Sequence, residues 1–283
     1  MTSESSERDA SDRIPTRLGE HWDAQPPLLM GREHFQFQFD VAKEMQRVTG
    51  EPFIEVLKKY TSLPRAFLFV LSPTDASVTM NTTVKESEMV DEAYKIYRKT
   101  HRNGTPAEYH PESPNPNNWV GYGCFMADYR EHEKAVHIHF SNVEFDPNGS
   151  PLRGEKTDAR LQELHDLFTY IQKKFPRAEY VLGDSWLYTL PQYRALFPDS
   201  YVEVQTPSAR MDEAEFLRTG ASWGQFLGWD YTLNMERGQQ LLNNLRALPD
   251  NSARVHDIAQ AFPARLHAYK GPITDFYKKY GVT

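Results

Sequence analysis

The segment WVGYGCFMADYREHEKAVHIHF, residues 119–140, decides the fold class. Two runs of mostly apolar and aromatic residues, 119–129 and 134–140, lie on either side of the charged tetrapeptide REHE. Two such runs around a short polar connection predict a β-hairpin. Upstream of this segment the apolar residues recur at helical spacing, so the hydrophobic pattern changes here from a helical to a strand-like one. We therefore expect an α+β protein with a largely helical N-terminal part.

The second run places two histidines on one face of a strand and three apolar side chains on the other. Because side chains alternate along a strand, Val136, Ile138 and Phe140 fit a core. His137 and His139 then share the opposite face, with Cα atoms ~7 Å apart. Two imidazoles at this spacing favour proton transfer or the binding of a polar ligand or metal. A structural role with ordinary hydrogen bonds is the other interpretation.

Glu144 extends the histidine pair to the pattern H-x-H-x4-E, which is similar to the first metal motif of cupins. The glycines that frame the cupin motif are not in their places, and no second motif follows. Zinc sites need at least three protein ligands. A metal-dependent enzyme with His137, His139 and Glu144 as ligands is therefore an alternative hypothesis.

A long amphipathic helix and a further strand follow the hairpin. Residues 157–175 repeat leucine, phenylalanine and isoleucine at intervals of three and four, and Pro176 ends the pattern. Residues 178–188, AEYVLGDSWLY, predict another strand. A helix between two strands favours a crossover connection. We expect a mixed, mostly antiparallel sheet.

A carboxylate and two aromatic side chains gather near the end of that strand, in GDSWLY at residues 183–188. Asp184, Trp186 and Tyr188 would share one strand face. Ligands of open α/β sheets bind beyond the carboxyl ends of the strands. We predict that Asp184 orients a histidine base or the substrate and that the two aromatic residues shape the binding site. A core tryptophan with a capping aspartate is the alternative.

Two further residues are candidates for substrate binding. Arg153 lies in RGEK just before the long helix, where positive charge and backbone donors could bind an anion. The alternative for RGEK is a solvated helix entry. Trp223 lies in SWGQFLGWDY, a third aromatic group that could cover the same crevice.

Composition limits the class of partner. The 283 residues carry a formal net charge of -7, which disfavours general binding of nucleic-acid phosphates. The single cysteine, Cys124, excludes an internal disulfide and fits a cytoplasmic protein, and its apolar context indicates an inert thiol. No apolar run approaches the ~20 residues that span a bilayer, so we expect no membrane partner. The polar, acidic N-terminus is not of the signal-peptide type.

The expected organisation has a disordered tail at residues 1–15, a mainly helical part at 16–110 and an α/β part at 111–283. One continuous domain is the alternative to this division. The sequence lacks the phosphate-binding and catalytic motifs G-x-x-x-x-G-K-[ST], G-x-G-x-x-G and H-E-x-x-H. The oligomeric state is not specified by any of these patterns.

Residues 137–198 carry a family resemblance. They run HIHF, GSPL, an amphipathic helix ending in KKFP, DSWLY and LFPDSY. This pattern resembles the C-terminal region of bacterial acyltransferase-like proteins related to the acyl-CoA-dependent N-acyltransferase superfamily. The resemblance covers less than a quarter of the chain. It implies a mixed, splayed sheet with an acyl-donor or substrate cleft beside the long helix.

The chain departs from that superfamily at its pyrophosphate loop, [QR]-x-x-G-x-[GA], where this sequence has PLRGEKTDAR. Without those glycines a pyrophosphate cannot approach the backbone as closely, so the fold can be kept without the use of coenzyme A. The leading hypothesis is a cytoplasmic enzyme that acts on a polar small molecule, with His137 or His139 as general base. The resemblance implies acyl transfer as its reaction and acyl-CoA as a donor, while the residues themselves leave the cofactor open. The alternatives are the metal-dependent enzyme and a non-catalytic binding module that uses the aromatic groups.

Overall fold

The computed structural model describes residues 30–63, 86–100, 119–144, 149–203, 205–206 and 212–283, and shows an α+β protein. The strands are β1 (Trp119–Tyr122), β2 (Phe125–Arg130), β3 (Ala135–Phe140), β4 (Tyr180–Ser185), β5 (Gln205–Thr206) and β6 (His267–Pro272). They form a single sheet in the order β1-β2-β3-β4-β6-β5. The pair β3–β4 is parallel and the other neighbouring pairs are antiparallel. The prediction of a mixed, mostly antiparallel sheet is confirmed.

Some of the helices pack on this sheet, and the others form a second hydrophobic core. The helices are α1 (Arg32–Thr49), α2 (Phe53–Tyr60), α3 (Glu86–Thr100), α4 (Thr157–Lys174), α5 (Pro191–Arg194), α6 (Asp199–Val202), α7 (Glu213–Leu217), α8 (Gly220–Gly224), α9 (Met235–Arg246), α10 (Val255–Ala261) and α11 (Ile273–Tyr280). Within the described ranges, every helix is too short or too polar to cross a bilayer. The tail predicted at residues 1–15 lies outside the described residues.

The run 119–129 is two strands and not the single strand that its composition predicts. Gly123 has φ +55°, in the left-handed region, and with Cys124 it forms the turn between Tyr122 and Phe125. The hairpin around REHE is confirmed, with a 3-10 turn at Glu131–Glu133 joining β2 to β3. Two consecutive hairpins therefore build one side of the sheet.

The long helix α4 connects β3 to β4 and covers one face of the sheet. Its residues Leu164, Leu167, Phe168 and Ile171 are fully buried. They pack with alternate residues of the strands and with α11 in one hydrophobic core, here called the sheet core. The prediction of this helix from its apolar spacing is confirmed.

The strand predicted at 178–188 ends early. The Ser185 hydroxyl accepts a hydrogen bond from the Leu187 amide, 3.1 Å away, and residues Trp186–Thr189 form a 3-10 turn. The prediction that Trp186 and Tyr188 share a strand face with Asp184 is therefore wrong. A local side-chain bond to the backbone ends the strand where its composition would continue it.

The parallel strands β3 and β4 diverge toward their carboxyl ends. Their pairing begins at Ala135 with Tyr180 and stops at His137 with Leu182. Beyond that point β3 stays paired with β2, and β4 with β6. A gap therefore opens between the last residues of β3 and of β4.

A second hydrophobic core, the helical core, is formed by α1, α2 and α3 together with α7 to α10. Its fully buried residues include Met45 on α1 and Leu217, Trp223 and Leu241 from the later part of the chain. Residues 212–264 thus return to the N-terminal helices. In the part expected at 111–283, helices α7 to α10 pack with α1 to α3, whereas α11 packs with the sheet.

Candidate functional site

A row of polar side chains lies on the face of the sheet opposite to α4. Asp128 on β2 is paired with His137 on β3, and Met126 is paired with His139. The residue between the two histidines, Ile138, belongs to the sheet core on the other face. The alternation predicted for this strand is confirmed, and both imidazoles share one face.

His137 is a structural member of this row. Its side chain is 1% exposed, and its Nε2 lies 2.8 Å from a carboxylate oxygen of Glu133 in the hairpin turn. Burial lowers the pKa of His137 below its usual value, and the bond to Glu133 opposes this only in part. The ring is therefore neutral at pH 7 and donates through Nε2 to Glu133.

His139 is oriented by a buried carboxylate. Its Nε2 lies 2.7 Å from Asp128 Oδ1, and the side chains are 29% and 7% exposed, respectively. Arg130 Nε donates to the other oxygen of Asp128 at 3.0 Å. Burial would raise the pKa of Asp128, but the bonds from His139 and Arg130 outweigh it and the pKa falls below its usual value. Asp128 is therefore ionised and holds a partly exposed imidazole in one orientation.

The two histidines do not converge on a metal ion. Each ring is bound to its own carboxylate, and Glu144, the expected third ligand, is bound to Arg160. Across the described ranges, the group of three ligand atoms close enough for one ion is Cys124, Glu144 and Glu163. This group contains neither histidine, so the predicted H-x-H-x4-E ligand set is not assembled.

The Cys124, Glu144 and Glu163 group is built around a buried guanidinium. Arg160, on the first turns of α4, donates to Cys124 Sγ and to Glu144, and its Nη2 lies 2.8 Å from Glu163. Glu163 also accepts from the Cys124 amide at 3.0 Å. The cation of Arg160 fills the position that a metal ion would need.

Two ionisable groups of this cluster have raised pKa values. Burial raises the pKa of the Cys124 thiol to about 12, which agrees with the inert thiol expected from its apolar context. Burial also raises the pKa of Glu163 to about 7, although Arg160 and the Cys124 amide oppose it. Arg160 and Glu163 were not predicted as site residues. Their spacing of three on a helix, which is typical of an ion pair, is the one feature of the sequence that links them.

Asp184 lies across the gap from His139. His137 and Leu182 are the last paired residues of β3 and β4, and each candidate lies two positions further along its own strand. Because side chains alternate, Asp184 points to the same face as the histidines. The half-buried Asp184 and His139 therefore lie on the two diverging strand ends.

The two aromatic candidates that follow Asp184 lie in different environments. Tyr188 is buried in the sheet core, with its hydroxyl 2.9 Å from that of Tyr201, and burial raises its pKa well above the usual value. Its predicted contact with substrate is not supported by this position. Trp186 is half-buried, and the Arg237 guanidinium lies over its ring, 5.2 Å from the centroid.

The remaining two binding candidates are Trp223 and Arg153. Trp223 is 1% exposed in the helical core and donates from Nε1 to the Leu217 carbonyl at 2.8 Å. The prediction that Trp223 covers the sheet crevice is wrong, because its side chain lies in the helical core, whereas Trp229 of the same segment packs against the sheet core. Arg153 precedes the 3-10 turn that leads into α4, and its Nε lies 3.4 Å from Glu155.

A segment from the helical part bridges the gap between the diverging strands. The Trp229 carbonyl accepts from Asn142 Nδ2, just after β3, at 3.1 Å. Arg237 lies over Trp186, just after β4, and donates from Nη1 to the Gln225 carbonyl at 3.2 Å. Residues 225–237 therefore connect the two strand ends across the open side of the sheet.

Compared with known proteins, the chain matches no family model, no curated protein and no solved structure.

Proposed function

We propose that this protein is an acyltransferase that moves an acyl group from a thioester donor of the acyl-CoA type to a polar small molecule. His139 acts as the general base in this proposal. The observation that carries it is the buried, ionised Asp128 that holds a partly exposed His139 where β3 leaves β4. His139 lies on the last part of β3, where this strand is no longer paired with β4.

The dyad supports the choice of base. An imidazole with one nitrogen hydrogen-bonded to a carboxylate has a defined tautomer and orientation, and the carboxylate stabilises the imidazolium that forms during proton transfer. Asp128 supplies this carboxylate, and Arg130 fixes its second oxygen. His137 is buried against Glu133 and is assigned a structural role.

The sheet supports the choice of reaction class. The resemblance of residues 137–198 implies a splayed sheet with an acyl-donor cleft beside a long helix. The crossover from β3 through α4 to β4 and the divergence of these two strands agree with that expectation. In this proposal the thioester lies between His139 and Asp184, on the diverging ends of β3 and β4.

The chemistry then follows from the positions of the groups. His139 takes a proton at Nδ1 from the acceptor amine or hydroxyl as its nitrogen or oxygen attacks the thioester carbonyl carbon. The carbon–sulfur bond breaks, and the imidazolium returns the proton to the leaving thiolate. Asp128 stays ionised throughout and holds the Nε2–H group. Asp184, on the opposite strand end, orients the acceptor.

A thermal-shift screen and a thiol-release assay test the proposal. Acyl-CoAs and shorter acyl-pantetheine thioesters are screened first, because a ligand at a hundred times its dissociation constant adds about 2.7 kcal/mol of stability. Thiol release is then followed with the donors that bind and with panels of amine and hydroxyl acceptors. Binding of a donor without turnover favours the non-catalytic alternative, and absence of both binding and turnover contradicts acyl transfer.

The base is tested by substitution. We expect His139→Gln to lower kcat by about 10²–10⁴, the usual contribution of a general base. Asp128→Asn should also lower kcat, because an amide in place of the carboxylate no longer stabilises the imidazolium. His256→Gln is the matched control, since His256 is an exposed histidine paired with Glu213 in the helical part. Undiminished turnover in a folded His139→Gln protein would show that another group is the base.

A further inference from the structure

We propose that the carboxyl end of β4 binds an anionic group, a carboxylate or a phosphate, through His267, Arg194 and Arg265. This site is proposed independently of the acyl transfer, because His267 points to the face of the sheet opposite to His139 and Asp184.

His267 provides the buried part of this site. It is the first residue of β6 and is paired with Ser185, the last residue of β4. Its ring is stacked on that of Tyr269, with centroids 6.4 Å apart and planes 7° apart. Its Nδ1 is buried and has no hydrogen-bond partner among the residues that the structure describes. A buried polar atom without a partner costs free energy that a bound ligand oxygen would recover.

Two arginines direct positive charge toward His267. Burial lowers the pKa of His267, and the positive charges of Arg194 and Arg265 lower it further. Arg194 Nη2 donates to the Val202 carbonyl at 3.0 Å, which anchors the guanidinium. Neither arginine forms an ion pair with any described residue. The acidic residue of this strand end, Asp184, is paired with Ala268 and points to the opposite face of the sheet from His267.

A third guanidinium, that of Arg237, stacks on the ring of Trp186, the residue that follows Ser185. Arg237 is half-buried over the Trp186 ring and is fixed by the Gln225 carbonyl, and it too has no acidic partner in the described part of the chain. A planar guanidinium that is stacked on an aromatic ring presents its remaining donors in the geometry of carboxylate and phosphate oxygens. Arg237 lies beside the site, next to the strand end that His267 pairs with.

The location and the charge balance point to the same class of ligand. The whole chain has a formal net charge of -7, so a group of arginines without an ion pair to a described residue is contrary to its average. Local positive potential of this kind concentrates anions. The Ser185 hydroxyl accepts from the Leu187 amide, which leaves its proton available for donation to a ligand. Ligands of open sheets bind beyond the carboxyl ends of strands, where these groups lie.

The test follows the imidazole of His267 by NMR in the full chain, with the resonance assigned from the variant His267→Gln. Inorganic phosphate and malonate are titrated separately at constant ionic strength set with sodium chloride. We expect a saturable shift of the His267 resonance and a rise of its pKa in the presence of the bound anion. Saturation with phosphate identifies a phosphate site, and saturation with malonate alone identifies a carboxylate site.

Charge-matched variants separate a site from general charge. Arg194→Gln and Arg265→Gln should each raise the dissociation constant of the bound anion at least fivefold. Arg98→Gln removes the same charge from an exposed position on α3 and should leave the dissociation constant within twofold. The proposal is overturned if neither anion shifts His267 saturably, or if Arg98→Gln weakens binding as much as Arg194→Gln does.

These measurements need no turnover, so the two proposals can fail separately. Anion binding without acyl transfer leaves the anion site intact and contradicts the proposed function. Acyl transfer without anion binding contradicts the site and leaves the function intact.

Discussion

A backbone amide in the helical core dictates the protonation state of the buried imidazole of His34. The Ser62 amide donates to Gln38 Oε1 at 3.1 Å, which turns the Gln38 amide nitrogen toward His34 Nε2, also at 3.1 Å. Because Gln38 donates, Nε2 must accept, and the hydrogen of the ring lies on Nδ1. A protonated ring would set two donors against each other, so His34 fits this core only in its neutral form.

We predict that His34 makes the protein less stable in mild acid. Burial lowers the pKa of His34 from 6.5 to about 4. Because the folded-state pKa is the lower one, the unfolded chain binds the proton first as pH falls from 6.5 to 4. Folding then loses about 3 kcal/mol over that window, at 1.36 kcal/mol per pKa unit.

Urea unfolding of the wild type and of His34→Leu at pH 7 and pH 4.5 measures this effect. The loss of unfolding free energy between the two pH values should be smaller in His34→Leu, and unchanged in the exposed control His256→Gln. Equal losses in the wild type and in His34→Leu would show that His34 does not titrate in this range.

At the same scale, the sequence predicted which strand face each histidine occupies and did not predict its partner. Alternation alone places His137 and His139 together. The carboxylate of Glu133 is placed beside His137 by the hairpin turn, and that of Asp128 is placed beside His139 by the register of β2 against β3. The alternation of side chains along β3 predicts neither contact. The different roles of two histidines in identical local patterns are therefore set by tertiary contacts.

At the scale of elements, β4 lies close to a buried group of tyrosines because Gly183 has no side chain. A Cβ at Gly183 would meet the hydroxyl of Tyr188 and would lie 2.5 Å from that of Tyr201. These two hydroxyls are hydrogen-bonded to each other at 2.9 Å. The strand and the turn that follows it are packed together at this one position.

We predict that Gly183→Ala lowers the free energy of unfolding by about 1–3 kcal/mol, the usual cost of overpacking a core. Gly154→Ala is the matched control, because a Cβ there has nothing within 4 Å, and it should change stability little. Adding Tyr188→Phe to Gly183→Ala should recover part of the loss by removing the nearest hydroxyl. Urea denaturation measures all three variants, and a Gly183→Ala protein as stable as the wild type would contradict this packing.

Helices and strands with a regular spacing of apolar residues were predicted well, whereas the residues at which they end were not. The spacing of apolar residues identified α4 and the core face of β3. The break at Gly123 depends on a positive φ, and the end of β4 depends on the bond from Leu187 to Ser185. Both are local backbone events that leave the apolar pattern of the sequence unchanged.

At the scale of the whole molecule, the described part of the chain contributes twice to each of its two cores. It begins in the helical core, builds β1 to β5 in the sheet core, returns with residues 212–264 and ends in the sheet core with β6 and α11. The sequence predicted the α+β class but not this return. An amphipathic helix shows that it has a buried face, and nothing in its period tells which core that face will join.

We predict that the two cores differ in local stability and that each responds mainly to changes in its own residues. Met45→Ala in the helical core and Ile171→Ala in the sheet core each remove a fully buried side chain, which costs about 2–5 kcal/mol. Hydrogen exchange should show the greater loss of protection in the core that carries the substitution. Equal losses in both cores from either variant would show that they unfold as one unit.

The position of β6 has a consequence for how the protein is made. This strand is the last of the six to be synthesised, yet it lies between β4 and β5 in the finished sheet. While the ribosome is still translating residues 212–264, the outer edge of β4 has no neighbour and β5 lacks the strand it pairs with. An open strand edge on a nascent chain is a template for pairing with other chains. The outer edge of β4 therefore stays open to such pairing until β6 emerges and covers it.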